Sequence, residues 1–515
     1  MADSHIRWRR SPLGCLFAMF ILSASAAFTT GQLAAEDLAP RFDVWFVPEV
    51  QDQPFTGRVT LFFSTTAGQP RLGPNWFHPE PFLSFDVQNW LPEEPLTLSP
   101  DREGVLTFPR DFSTVDLSGY YVQAVARFNP WDRRIGDGSG NGFSNVERVR
   151  TDGSAVPLMI SQSIEDHPFK ETAWTKLLKV RSSLLSEFHG RDVFLQAAVT
   201  LPASYYDHPQ RRFPTIFTIP GFSGTHERAR RTSPLVEHNE QGVEFLRVTL
   251  DPSCPLGHHV FADSANNGPY GQALIDEFLP AFDEQFRSIA QPEARFLTGH
   301  SSGGWSSLWL QITYPEQFGG VWSTAPDSVD FRDFQRINLY QPGTNMYVDG
   351  AGNRRPIARN GDRTALWYDD FAWMEHVLGP GGQLHSFEAV FSPRGPDGTP
   401  RLLWNRETGA VDTDVAKSWE PYDIRLQLER NWDSLGPLLT GKLHIFMGSR
   451  DTFLLEGATQ LLKQSLTSLG SDAVVEIHPG KDHSTLMSED LRNRICQEMT
   501  YVFLSNFPNW PDIAN

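Results

Sequence analysis

The sequence predicts an α/β protein in which a mostly parallel, doubly covered sheet follows an all-β, sandwich-like domain. Three observations carry that expectation. The chain has 515 residues, too many for one core of ordinary domain size, so at least two domains are expected. Residues 176–510 alternate apolar, β-branched runs with amphipathic stretches, the pattern of parallel strands joined by crossover helices. Residues 40–152 instead carry short aromatic and β-branched runs separated by Pro, Gly, Asn and Asp. With 40% hydrophobic and 21% charged residues the chain can bury a sizeable core, which excludes a wholly disordered or fibrous protein.

The N-terminus reads as an address. Arg7, Arg9 and Arg10 precede an apolar run at 13–22 and small residues at 23–27, with an Ala24-x-Ala26 cleavage pattern. Residues 1–27 are therefore expected to be a signal peptide. The apolar run is shorter than the roughly 20 residues that span a bilayer, so no membrane association is expected after cleavage. The expected location is secreted or periplasmic. Cleavage leaves Cys254 and Cys496. Export permits a disulfide between them, but the Cα separation that decides it is not written in the sequence.

Strand-like runs at 42–47, 57–64, 105–108 and 120–128 define an accessory β domain over 40–152. No Ser, His or Cys there has a recognisable catalytic setting. The domain is read as a binding or positioning module, or as a buttress for the C-terminal half. Its loop Asp137–Asn145 places oxygen-bearing residues at alternate positions with Gly142 sixth, as a calcium loop does, but Arg148 stands where a bidentate Glu belongs. A Gly/Asn hairpin explains the same letters. Residues 153–175, polar and without sustained periodicity, are expected to be a linker.

Beyond the linker, strands are expected at 193–201, 214–219, 244–250, 295–298, 320–323, 443–447 and 474–478. A helix at 270–286 is expected to kink at Pro280. The segment Gly299-His300-Ser301-Ser302-Gly303 is a G-x-S-x-G motif led in by an apolar run and led out by Trp305, Leu308, Trp309 and Ile312. Such a strand–turn–helix setting exposes the hydroxyl of the central serine on a sharp turn. A serine needs a base to remove its proton and a carboxylate to orient that base. Asp451, just after the run 443–447, and His483, just after 474–478, follow Ser301 in the expected order and fall at strand ends on the same sheet edge. Asp327 is the next acid in line, Asp482 adjoins the histidine, and His258, His259 and His478 are the competing histidines. An oxyanion needs two donors. The backbone N–H of Ser302 is the first. The second is expected from Phe222, in Pro220-Gly221-Phe222-Ser223-Gly224, with Ser223 the alternative.

The stretch 183–224, with Gly190-Arg191, Leu201-Pro202 and Phe213-Pro214 before the glycine loop, resembles the Putative esterase family of α/β-hydrolases. That family includes esterase D, feruloyl esterases and enterochelin esterases. The helix at 270–286, the elbow, Asp451 and His483 extend the likeness over most of 176–507. The resemblance implies an α/β-hydrolase fold and ester hydrolysis through an acyl-enzyme intermediate, with no metal or organic cofactor. Pro220 departs from it where many relatives carry His, which puts one local hydrogen bond in question. An insertion at about 328–440, rich in Tyr, Trp, Gly and Pro, is a second departure. It reads equally as a lid or pocket wall and as an outward elaboration.

The expected function is therefore that of an exported serine carboxylic-ester hydrolase acting on a small-molecule or carbohydrate-linked ester. An acyltransferase or peptidase on the same fold, and a secreted binding protein with an idle hydrolase domain, are the alternatives. Lys and Arg total 44 against 62 Asp and Glu, a formal charge of −18. That balance argues against nucleic acid as a partner, because phosphate binding needs a basic field.

Overall fold

A computed structural model describes residues 39–237 and 239–510; the expected signal peptide lies outside the described residues. The N-terminal strands are β1 (Phe42–Phe46), β2 (Phe55–Ser64), β3 (Phe82–Trp90), β4 (Leu96–Leu98), β5 (Leu106–Phe108), β6 (Tyr121–Ala126), β7 (Gly142–Ser144), β8 (Glu147–Arg148) and β9 (Val156–Ser163). They form one sheet in the order β4-β1-β9-β7-β6-β2-β3-β5, with β8 beside β6. The sheet folds back on itself. Phe42 of β1 meets Phe63 of β2 at 5.4 Å between ring centroids, and Phe46 meets Trp90 of β3 at 4.7 Å, although β1 neighbours neither strand. Side chains of a strand alternate between faces. Along β2, Val59, Leu61 and Phe63 enter this inner core. Phe62, with Phe82 and Val125, points the other way and joins the core of the C-terminal half.

One boundary needs correction. The expected linker 153–175 contains β9, which pairs with β1 and β7. Val156, Leu158 and Ile160 are buried while Pro157 and Met159 are exposed, so the strand alternates in burial although its first five letters are all apolar. Only 164–174 connects the two sheets.

The second sheet comprises β10 (Thr175–Ser182), β11 (Val193–Thr200), β12 (Thr215–Ile219), β13 (Leu246–Leu250), β14 (Arg295–His300), β15 (Gly320–Thr324), β16 (Leu443–Gly448) and β17 (Val474–His478). Its order is β10-β11-β13-β12-β14-β15-β16-β17, antiparallel at the β10–β11 and β11–β13 pairs and parallel from there on. Ile216, Phe296, Trp322 and Phe446 face a cluster with Leu491, Ile495 and Met499 of the C-terminal helix Glu489–Asn506. Their sequence neighbours Phe217, Leu297, Val321 and Ile445 face the main core. Strands buried on both faces read as continuous apolar runs rather than alternating ones.

The helix expected at 270–286 is divided. Tyr270–Ala273 passes through a π-helical turn, Leu274–Phe278, into Leu279–Gln285, with Pro280 in the first turn of the last piece. The widened turn lets the chain pass a proline that lacks an N–H and crowds the preceding turn.

Between β15 and β16 the insertion folds into a hairpin (Pro356–Asn360 and Arg363–Trp367) and helices Tyr368–Leu378, Gln383–Phe391 and Thr413–Ser418. The expected limits, 328–440, reach too far. Ile424–Leu439 is the helix that returns the chain to β16, as a parallel connection requires. Both ends of the insertion are tied at Asp423, which is fully buried. One carboxylate oxygen accepts from Leu426 N–H at 2.9 Å and caps the return helix; the other accepts from Phe331 N–H at 3.0 Å and Tyr340 OH at 2.8 Å. Arg425 adds a charged contact at 3.3 Å. The insertion also meets the N-terminal sheet. Arg58 on β2 donates to the carbonyls of His376 and Val377 at 2.9 and 3.0 Å, and Trp373 Nε1–H donates to Thr107 O at 2.7 Å.

Removing Asp423 strands two buried donors and unbalances Arg425. Asp423→Ala is expected to destabilise the protein by about 3–5 kcal/mol, the cost of breaking a buried charged pair plus a helix cap. A lowered urea unfolding midpoint checks this; an unchanged midpoint refutes the role given to the network.

Candidate active site

Backbone crowding builds the site. Ser301 has φ +60° and ψ −126° at the junction of β14 and the helix Ser302–Thr313. A non-glycine residue in that region is strained, and strain persists only where neighbours enforce it. They do so here. A Cβ on Gly303 would lie 1.9 Å from the carbonyl oxygen of Ile219, and one on Gly299 would lie 2.0 Å from that of Gly303. No side chain fits either position, so the helix starts hard against β12 and β14 and Ser301 is lifted onto the turn.

The loops carrying the other two candidates are pinned together in the same way. A Cβ on Gly448, the last residue of β16, would lie 2.3 Å from Lys481 O, and Arg450 N–H donates to that carbonyl at 3.0 Å. Asp451 and His483 thus meet: His483 Nδ1–H donates to Asp451 Oδ2 at 2.7 Å, while Asp451 Oδ1 accepts from Phe453 N–H at 2.9 Å. Asp451 is fully buried. Burial alone would lower the pKa of His483. The hydrogen bond and charge of Asp451, aided by the charges of Asp327 and Asp482, outweigh it and hold the pKa above the ordinary histidine value.

Asp327 sits elsewhere. It accepts from Ser302 Oγ–H at 2.6 Å and from Ser301 Oγ–H at 3.4 Å, and receives Gln383 Nε2–H at 3.4 Å. Burial pushes its pKa up to about 6. Asp482 accepts from the N–H groups of Ser484 and Thr485 on the histidine loop. His259 stacks on Tyr270 at 3.6 Å between centroids, and His478 faces Glu476 at 3.3 Å.

The glycine loop passes over the elbow: a Cβ on Gly221 would lie 3.0 Å from His300 O and 3.2 Å from Ser301 Cβ. Gly224 N–H donates to Gly221 O at 2.9 Å, closing a turn with Ser223 at φ +66°. Among the described residues neither Phe222 N–H nor Ser302 N–H donates to another group. Pro220, which stands where a histidine was expected, does not leave the loop untied. His258 Nε2–H donates to Pro220 O at 2.9 Å, and His258 Nδ1 accepts from Val260 N–H at 3.1 Å. Burial lowers the pKa of His258 to about 4, which keeps the ring neutral and able to make both bonds.

Ser301, His483, Gly221, Phe222 and Asp327 line one cavity of about 610 Å³. Much of the rest of its wall comes from the N-terminal half, which sequence reasoning did not connect to the site, and from the insertion, for which a pocket wall was one of two expectations. Leu72, Pro74, Trp76 and Arg133 belong to loops of the N-terminal half, and Phe334, Gln335, Ile357, Leu366, Gln383 and Phe387 to the insertion. The signal for Trp76 was an aromatic residue in a Pro- and Gly-rich loop with no strand pattern to bury it. Phe371 of the insertion also lines the cavity. Tyr340, Tyr347 and Trp404 turn inward and give their O–H or N–H to Asp423, Arg406 O and Tyr347 OH. Cys254 and Cys496 are both buried and unbridged, with separate partners near Asn267 and Glu237. Asn141, in the loop weighed for calcium, directs its side chain to the backbone of Asn129, Arg134 and Ile135.

The Esterase family, described as Putative esterase, matches residues 192–485. The chain belongs to this family. The Putative esterase match begins at the start of β11 and ends just past His483, so it takes in the glycine loop, the elbow and both carboxylates while leaving the N-terminal sheet outside. Membership makes the C-terminal half an ester-hydrolase domain of the α/β-hydrolase fold. Among solved structures, a ferulic acid esterase is 13% identical with a TM-score of 0.39, the match covering 64% of this chain and 99% of the other. An S-formylglutathione hydrolase from Agrobacterium tumefaciens is 15% identical with a TM-score of 0.35, covering 65% and 93%. A ferulic acid esterase from Anaeromyces mucronatus is 14% identical with a TM-score of 0.32, covering 62% and 89%. No curated protein matches the chain.

Proposed function

We propose that this protein is an exported serine esterase that hydrolyses a carboxylic ester through an acyl-enzyme intermediate. The observation that carries the reading is the pairing of His483 Nδ1 with buried Asp451 at 2.7 Å on the wall that also presents Ser301. With Nδ1 committed to the carboxylate, Nε2 is the nitrogen left to accept a proton. In the first half-reaction Ser301 Oγ attacks the carbonyl carbon while His483 takes its proton. The N–H groups of Ser302 and Phe222 receive the oxyanion. Collapse expels the alcohol with the proton from His483, and a water activated by the same histidine then releases the acid. The contact of Ser301 Oγ with Asp327 at 3.4 Å is long, so a side-chain rotation toward His483 gives up little. A cavity of this size with mostly apolar walls suits a small ester rather than a polymer backbone. Residues 1–27 are the export signal of this reading.

Ser301→Ala is expected to lower hydrolysis of short p-nitrophenyl esters by about 10⁴-fold or more while leaving thermal unfolding unchanged. The wild type should take up a fluorophosphonate on the Ser301 peptide, and unchanged turnover in the variant would sink the assignment. The base must be neutral to accept a proton, so kcat/KM should fall as pH drops through an inflection above the ordinary histidine value. Asp451→Asn removes the charge that raises that inflection and should move it downward, with activity reduced about 10⁴-fold; an inflection unmoved by this substitution argues against His483 as the base. N-terminal sequencing of protein recovered outside the cytoplasm should begin just past the Ala24-x-Ala26 site, at residue 27 or 28, whereas a retained Met1 would refute export.

A further inference from the structure

Arg133 stands on the loop after β6, in the N-terminal half, and lines the cavity that holds Ser301 and His483. Its guanidinium carbon lies 4.8 Å from the centroid of the Phe222 ring, and Trp76 stacks on that ring at 5.6 Å and 26°. The cation is thus held beside the glycine loop, next to the residue whose N–H is the candidate oxyanion donor.

Among the described residues no group hydrogen-bonds its guanidinium; Asp132 and Asp251, which share a second cavity with it, act on its charge only through space. Asp132, next in sequence, is held by Arg134 through Nε and Nη2 at 3.0 and 2.7 Å. Asp251 is held by His226 at 2.9 Å and by Ser253 N–H at 3.0 Å. Asp327, the carboxylate of the cavity itself, is committed to two serine hydroxyls and Gln383. Among the described residues Arg133 makes no hydrogen bond or ion pair. Its neighbours behave otherwise: Arg127 donates to Pro380 O and Asp132 O, and Arg58 to Asp86 and two carbonyls. The donors of this half-buried guanidinium are left open to a ligand, and its planar fork matches a carboxylate in two parallel hydrogen bonds. The surrounding wall, with Trp76, Phe222, Phe371 and Phe387, is apolar.

We propose that Arg133 forms an anion subsite of the active cavity, so that the preferred substrates are esters carrying a free carboxylate on a short apolar stem. This inference rests on the esterase reading of the same site. The N-terminal half thereby contributes to substrate selection as well as to stability.

The test uses the full chain and two matched substrate pairs. For the acyl side the pair is p-nitrophenyl butyrate and the mono-p-nitrophenyl ester of glutaric acid; for the alcohol side it is phenyl butyrate and 3-carboxyphenyl butyrate. Wild type should favour the anionic member of one pair. The anionic-to-neutral ratio of kcat/KM should fall about 10–100-fold in Arg133→Met, the worth of a charge-assisted contact, with Arg133→Lys between the two. The pair that responds tells which side of the ester the carboxylate occupies. An equal ratio in wild type and Arg133→Met, or a loss shared equally by both members, would overturn the subsite and leave Arg133 as a support for Phe222. Wild type inert toward both pairs and unlabelled by a fluorophosphonate would overturn the esterase reading itself, and the subsite with it.

Discussion

Everything at the site depends on how closely the backbone of the elbow can approach its neighbours. Gly303 lies where any Cβ would overlap the Ile219 carbonyl, and Gly299 where one would overlap Gly303 itself. That contact fixes the helix Ser302–Thr313 against the centre of the sheet and holds Ser301 at positive φ. The parallel strands β12, β14, β16 and β17 then deliver their C-terminal loops to one edge, the side where open α/β sheets gather functional groups. A second close approach, Gly448 against Lys481, locks the two loops that carry Asp451 and His483. Such exclusions are stiffer than hydrogen bonds, since overlap energy rises steeply with displacement, and they hold the site without filling it with side chains.

The residues dictated by local motif and chain order were legible before the structure. The elbow, the acid after β16 and the histidine after β17 each occupy a strand end that its own apolar run announces. What the sequence concealed was the partnership between the halves. Leu61-Phe62-Phe63 on β2 is an unbroken apolar run, and such runs mark strands buried on both faces. Phe62 faces the C-terminal core while Leu61 and Phe63 face the inner one. Loop residues such as Trp76 and Arg133 reach the cavity only because this face is docked, and no spacing rule links them to Ser301 across that distance in the chain. β9 escaped for a different reason: its exposed positions are Pro157 and Met159, so the apolar run 156–160 shows no polar alternation, and polar residues flank it closely.

The insertion shows why aromatic content is a poor guide to a pocket. A buried Tyr or Trp must find a partner for its polar tip, and the rings at Tyr340, Tyr347 and Trp404 all find theirs inside the insertion. They consolidate it. The cavity wall is left to residues without such demands, namely Phe334, Ile357, Leu366 and Phe387, and to Gln383, which reaches Ser302 and Asp327. Gln383 is placed by Glu375, whose carboxylate accepts from the N–H groups of Gln383 and Leu384 at 2.6 and 2.9 Å. Burial pushes the pKa of Glu375 up to about 7 in spite of those donors. The insertion is therefore a structural layer whose inner edge reaches the elbow through Gln383.

Two buried carboxylates stand at the site, Asp327 against Ser301 and Asp451 against His483, and their surroundings differ. Asp451 faces a ring nitrogen and one backbone N–H, contacts that fix the imidazole by a single geometry. Asp327 faces two hydroxyl groups and an amide, none of which carries charge, and its burial raises the pKa to about 6. A hydroxyl adapts its proton to either state of such an acid. Asp327 is thus suited to holding Ser302 at the start of the helix. Only Asp451 reaches the imidazole by a hydrogen bond, while Asp327 acts on it through charge alone.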